Sequence, residues 1–240
     1  SAAGAGVCAL LMVRLARLAM VQCAEPKLAW VAALPLVVSA SLWQVAVRAE
    51  VYTLALATTL WAVEAAWRAR QAVVAGDGQR ARAAAVEAGV AVCLGLLNHH
   101  YVALFALPAV LVAGWPALRL ALRRSPRFAL VSVGLFAWLG CAYLGLALRA
   151  HADVELRWGD PGTLAGWWDT VTARQFQGSV ASGKGPLFDN TMILLAMISD
   201  GAGTWLPMAG AVGLLLGVLR RQAAAWVGVL LVVGALLTKA

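Results

Sequence analysis

Acidic residues are scarce in this chain: Asp and Glu number 11 in 240 residues, and all charged residues together make up 12%. So thin a polar complement, beside 62% hydrophobic residues and a mean hydropathy of +0.82, excludes a water-soluble globule and a disordered chain alike. Cysteine is sparse too. Cys8, Cys93 and Cys141 lie in apolar runs and Cys23 lies beside a basic stretch, with no CxxC and no Cys/His spacing, so the four read as free thiols. No repeat of fixed period is visible. The apolar run 5–13 lacks a basic segment before it and a cleavage-type site after it, so it does not read as a signal peptide. It is about half a span long, and the chain reads as a fragment that begins inside a helix.

What the chain has is apolar stretches between polar punctuation. They cover residues 28–41, 51–67, 83–97, 102–115, 128–148, 203–219 and 223–237, which makes seven candidate spans besides the truncated 5–13. The expected fold is therefore all-α: a polytopic transmembrane bundle occupying residues 1–240 as a single domain. Several runs fall short of the roughly 20 residues that cross a ~30 Å hydrocarbon core. Such helices are expected to tilt little, thin the bilayer, or end in a protein-lined cavity.

Orientation follows from the basic residues, because Lys and Arg concentrate in loops that stay cytoplasmic. Alternate loops carry Arg14, Arg17, Lys27, Arg68, Arg70, Arg80, Arg82, Arg119, Arg123, Arg124, Arg127, Arg220 and Arg221, thirteen of the 19 basic residues. The opposite loops hold Arg48, Arg149, Arg157, Arg174, Lys184 and Lys239 with a comparable number of carboxylates. The net charge of +8 is accounted for by topology, and no nucleic-acid partner is assigned to it. The chain is expected to be a multi-pass protein of the cell membrane, surrounded by lipid.

The longest non-apolar stretch, within residues 149–202, falls on the extracytoplasmic side and is rich in tryptophan: Trp158, Trp167 and Trp168. A partly helical flap is expected near 163–176, because Leu164, Trp167, Trp168 and Val171 recur at helical spacing after Asp160 and Pro161. Polar residues also gather where spans end on that side. Trp43, Gln44, Arg48 and Glu50 follow the run 28–41, while Asn98, His99, His100 and Tyr101 follow the run 83–97. Ionisable groups at membrane depth are costly unless they face a cavity or a partner, so this outer mouth is the candidate site.

Several chemistries are open there. Glu50 is either a carboxylate that orients or deprotonates a hydroxyl, or one half of an interfacial salt bridge with Arg48. His99 and His100 either donate hydrogen bonds to a substrate phosphate or shuttle a proton, or form a solvated loop end. Adjacent histidines on a helix point about 100° apart, so a two-histidine metal site is not expected, and no cofactor follows from the sequence. Arg48, Arg157, Arg174 and Lys184 suit a lipid phosphate and suit headgroup anchoring equally. Trp158 is either a platform for a sugar ring or part of an aromatic belt.

The segment Leu42-Trp43 … Ala46 … Glu50-Val51-Tyr52 … Leu54 resembles a pattern of a large bacterial family of polytopic membrane proteins. An animal relative of that family is a membrane O-mannosyltransferase of receptor ectodomains. Gly95-Leu96-Leu97-Asn98-His99-His100 is similar to a second motif of the family. Tyr143 to Arg149, then Trp158-Gly159-Asp160-Pro161 with Thr163, and Thr172, Arg174, Gln175 and Phe176 resemble its outer loop. Four motifs in order span residues 41–176. The resemblance implies a C-type glycosyltransferase fold and an inverting enzyme that takes a sugar, mannose in the animal relative, from a polyprenyl-phosphate carrier. The acceptor would be a hydroxyl, such as that of an exported protein, at the extracytoplasmic face. It implies Glu50 and His99 as catalytic groups, and Arg48, Tyr52, Asn98, His100, Trp158, Gly159, Asp160, Arg174 and Gln175 as substrate-binding ones. The acidic base of that class sits in a first outer loop that would precede Ser1, so this chain alone is expected to be inactive. A transporter or lipid flippase is the alternative reading of the same polar groups, and a noncatalytic scaffold a third.

Overall fold

The computed structural model describes residues 2–19, 52–150, 160–172, 174, 192, 196 and 205–239. Among these the fold is all-α, with no strand. The helices are α1 (Ala2–Ala19), α2 (Tyr52–Val74), α3 (Gly78–Arg124), α4 (Pro126–Ala150), α5 (Leu164–Val171), α6 (Trp205–Leu219) and α7 (Ala223–Lys239). The expected span 28–41 and the residues Arg48, Glu50, Trp158, Gly159 and Gln175 lie outside the described residues.

The continuous run of α3 is a hairpin. His99 has φ −152° and ψ 85°, a non-helical conformation in mid-run. Residues 81 and 117 would stand about 54 Å apart on one straight helix. Instead Ala81, Ala84 and Ala117 share one core cluster, and a Cβ on Gly95 would lie 3.3 Å from that of Ala103. The limbs 78–98 and 100–124 therefore fold back on each other, as the separate runs 83–97 and 102–115 lead one to expect.

Small residues let the helices come close. Ala62, Ala65 and Ala66 of α2 pack with Ala88 and Ala91 of the first limb and Ala109 and Ala113 of the second. Gly114 abuts Ala66. This is the packing that membrane bundles use where burial of large apolar groups gives no advantage over lipid. In α1, Cys8 and Leu11 rest on Ala57 and Leu60, and Gln71 donates to the Leu18 carbonyl at 2.9 Å. Leu135 of α4 lies against Gly89, and Gly234 of α7 lies against the Phe105 carbonyl.

The turns are built from local chemistry. Gly76, at φ +75°, closes α2 with bonds from Gly76 N to Val73 O (3.1 Å) and Asp77 N to Ala72 O (2.9 Å), the paired pattern of a left-handed helix stop. Asp77 then caps α3, its side chain accepting from Arg80 N at 2.9 Å. Ser125 ends α3 and its Oγ accepts from Phe128 N at 3.2 Å, with Pro126 at the first position of α4. Arg221 closes α6 at φ +55°.

The helices run alternately, so two ends of the bundle can be distinguished. One carries His99, His100, Tyr52, Tyr143 and α5. The other collects Arg17, Arg80, Arg82, Arg119, Arg123, Arg127, Arg220 and Arg221 at the turns α2–α3, α3–α4 and α6–α7. Among the described residues, two helical segments hold an 18-residue stretch apolar enough to cross a membrane, each with a mean hydropathy of 1.9: the α3 hairpin Gly78–Arg123 and α4, Pro126–Ala150.

Several helices outrun the apolar stretches that announced them. The run 51–67 becomes α2 of 23 residues, about 35 Å at 1.5 Å per residue. α2 and both limbs of α3 are thus longer than the apolar stretches within them. Arginine ends an apolar run without ending the helix, because its aliphatic stem stays along the apolar surface while the charge reaches outward.

Candidate functional site

Of the residues expected at the outer mouth, Tyr52, Asn98, His99 and His100 come together at the α3 turn. The Tyr52 ring lies 5.3 Å from that of His99 at 39°, and the His100 and Tyr101 rings are 4.4 Å apart. The break at His99 creates the turn, so the two histidines are not neighbours on one regular helix. Nδ1 of His99 and Nε2 of His100 are both buried and have no hydrogen-bond partner. A buried polar atom left unpaired costs about 1–3 kcal/mol, so two of them on consecutive residues form an unusual concentration of unmet hydrogen bonding.

The short helix α5 sits on this turn, as the spacing of Trp167 and Trp168 predicts; residues 173, 175 and 176 of the expected flap lie outside the described residues. Tyr101 donates its hydroxyl to the Thr172 carbonyl at 2.8 Å, and the Trp167 indole donates to the Tyr143 carbonyl at 2.8 Å. Tyr143 in turn donates to Leu96 O at 2.8 Å, which ties α4 to the end of the first α3 limb. Thr163 caps α5, its Oγ accepting from Gly166 N at 3.0 Å. Gly166 lies directly against the Asp160 carbonyl, where a side chain has no room.

Asp160 and Arg174 stand at the edge of this assembly. Asp160 is exposed, and the contact it makes with α5 is through its backbone. Arg174, 71% exposed, pairs with Asp169 at 3.4 Å. This is a solvent-exposed pair with a neighbour on the flap. Among the described residues no group of three His, Cys, Asp or Glu side chains converges on a point that could hold a metal ion.

A second polar cluster lies inside the bundle. Oε1 of Glu64, a residue only 1% exposed, accepts from Arg14 at 2.9 Å and from Arg68 at 2.8 Å. Arg68 reaches on to Glu87 at 2.6 Å, and the Trp61 indole donates to the same carboxylate oxygen at 2.6 Å. Glu64 Oε2 has no partner. Along α2, Glu64 sits about 18 Å from Tyr52 and about 15 Å from Val74, close to the middle of the helix. A cavity of about 510 Å³ beside the cluster is lined by Arg68, Gln71, Asp77, Arg80, Glu87 and Leu18. Sequence reasoning gave this cluster no functional weight. The signal was a carboxylate inside each of two apolar runs, with Arg68 four residues after Glu64.

A third feature is an apolar cavity of about 370 Å³ between α2, α3 and α4, walled by residues such as Ala66, Val92, Leu107, Leu135 and Phe136. Compared with known proteins, the chain matches no family model, no curated protein and no solved structure.

Proposed function

We propose that this chain is the membrane domain of an inverting glycosyltransferase that moves a sugar from a polyprenyl-phosphate carrier to an acceptor hydroxyl at the extracytoplasmic face. In this reading the bundle crosses the cell membrane seven times besides α1, with the arginine end in the cytoplasm. The observation that carries the reading is the turn at His99. Two unpaired imidazole nitrogens, Tyr52 and the tryptophan-bearing α5 meet at the end of the bundle opposite the arginine-rich turns. The motif resemblance supplies the donor class, and mannose on an exported protein is the concrete case.

The chemistry is one displacement. The acceptor oxygen attacks the anomeric carbon, the bond from that carbon to the phosphate oxygen breaks, and the acceptor proton passes to a carboxylate base. Glu50 orients the acceptor hydroxyl. Fixed donors stabilise the charge that builds on the departing phosphate. Incubating the full-length protein with labelled polyprenyl-phosphate sugars tests the reading. Transfer that falls at least about a hundredfold in Glu50→Gln supports it. Absence of transfer from every donor by a folded protein overturns it.

The Glu64 cluster favours a second reading, a transporter or flippase, because an ionisable group near the middle of a spanning helix is where such proteins hold their cargo. Liposomes distinguish the two. Flux of a lipid-linked sugar without transfer, lost in Glu64→Gln, would replace the enzyme reading.

A further inference from the structure

We infer that His99 and His100 together form the phosphate-binding element of the site, acting as imidazole N–H donors. This deepens the glycosyl-transfer reading and rests on it for the identity of the phosphate carrier. Three observations converge. First, Nδ1 of His99 and Nε2 of His100 are the buried, unpaired nitrogens at this end of the bundle, so they have hydrogen-bonding capacity to spare. Second, the chain breaks at His99, which releases the pair from helical spacing and places it at the start of limb 100–124, whose dipole turns its positive end toward this turn. The opposing carbonyl end of limb 78–98 is partly satisfied by Tyr143 donating to Leu96 O. Third, of the cations expected to hold phosphate, Arg174 is 71% exposed and pairs with Asp169, while Arg48, Arg157 and Lys184 lie outside the described residues.

The ligand class follows from the donors. Two N–H groups suit an oxygen-rich anion, and an ordinary phosphate monoester or diester presents several acceptors at once. Tyr101, in ring contact with His100, also holds the flap through Thr172 O, so the pair lies beneath a flap that two such side-chain bonds fasten.

The test uses the full-length protein in nanodiscs and a short-chain polyprenyl monophosphate carrying no sugar, so that binding is read apart from transfer. His99→Ala and His100→Ala are each expected to weaken binding about tenfold, the size of one lost hydrogen bond to a charged group, with partial recovery in His99→Gln. If the alanine variants fail to fold, the ring nitrogens of 15N-histidine in the unmodified protein serve as the readout, and both residues should shift at saturation. Inorganic phosphate is the second arm. A shift with the polyprenyl phosphate alone assigns the site to the carrier, and the same shift with inorganic phosphate assigns it to free phosphate; both support the histidine pair. Unchanged affinity in the folded double variant, or unmoved ring nitrogens, overturns it, as does loss of binding in Arg174→Ala with none in the histidine variants. Binding without any sugar transfer would sink the enzyme reading and leave the histidine pair standing.

Discussion

Glu64 is the residue whose surroundings constrain it most. It is 1% exposed and holds two guanidiniums on one oxygen. Replacing it by alanine leaves Arg14 and Arg68 without that partner at depth, and removing one member of a buried pair costs about 3–5 kcal/mol. Because Arg14 and Arg68 are partly exposed, the lower part of that range is expected, read as loss of thermal stability in detergent. Glu64→Gln keeps one acceptor oxygen and should lose less. The i,i+4 spacing of Glu64 and Arg68 is legible in the sequence. The pairing with Arg14 and Glu87 is not, because it depends on the register between helices far apart in the chain. For the same reason the sequence shows that His99 and His100 cluster with Asn98, while only the fold shows that their ring nitrogens lie buried and unpaired.

At the scale of elements, hydrophobic runs and their polar punctuation foretell most of the helices, including both limbs of α3 and the flap helix. Helix lengths are less legible, since arginine marks the edge of an apolar run but not of a helix that continues to water. Close packing by small residues yields a paired prediction. A Cβ on Gly114 would already lie 3.3 Å from that of Ala66, so Gly114→Leu should wedge α2 from α3 and cost about 1–3 kcal/mol. Gly134 meets nothing within 4 Å, and Gly134→Ala should gain about 0.5–1 kcal/mol through helix propensity. Arg221→Gly should also stabilise, because the left-handed backbone costs a non-glycine residue roughly 1–2 kcal/mol, against about 0.3–1 kcal/mol for the cation lost at the end of α6. Unfolding midpoints of the three variants in one detergent check all these signs.

For the whole molecule, the separation of ends is the property on which the functional reading stands, and it is directly measurable. With the native cysteines replaced, a cysteine at exposed Gly162 should react with a membrane-impermeant maleimide in intact cells, and one at exposed Arg80 only after the membrane is permeabilised. Labelling of both from one side would remove the extracytoplasmic site. The ion pairs inside the bundle also bear on how the molecule is made. In the proposed membrane reading, limb 78–98 carries Glu87 into the bundle, while the guanidinium that bonds it, Arg68, arrives on α2. A carboxylate cannot linger alone in lipid, so these neighbouring segments are expected to leave the insertion machinery together. Birth order on the ribosome, α2 ahead of α3, would then be part of what lets the charge enter at all.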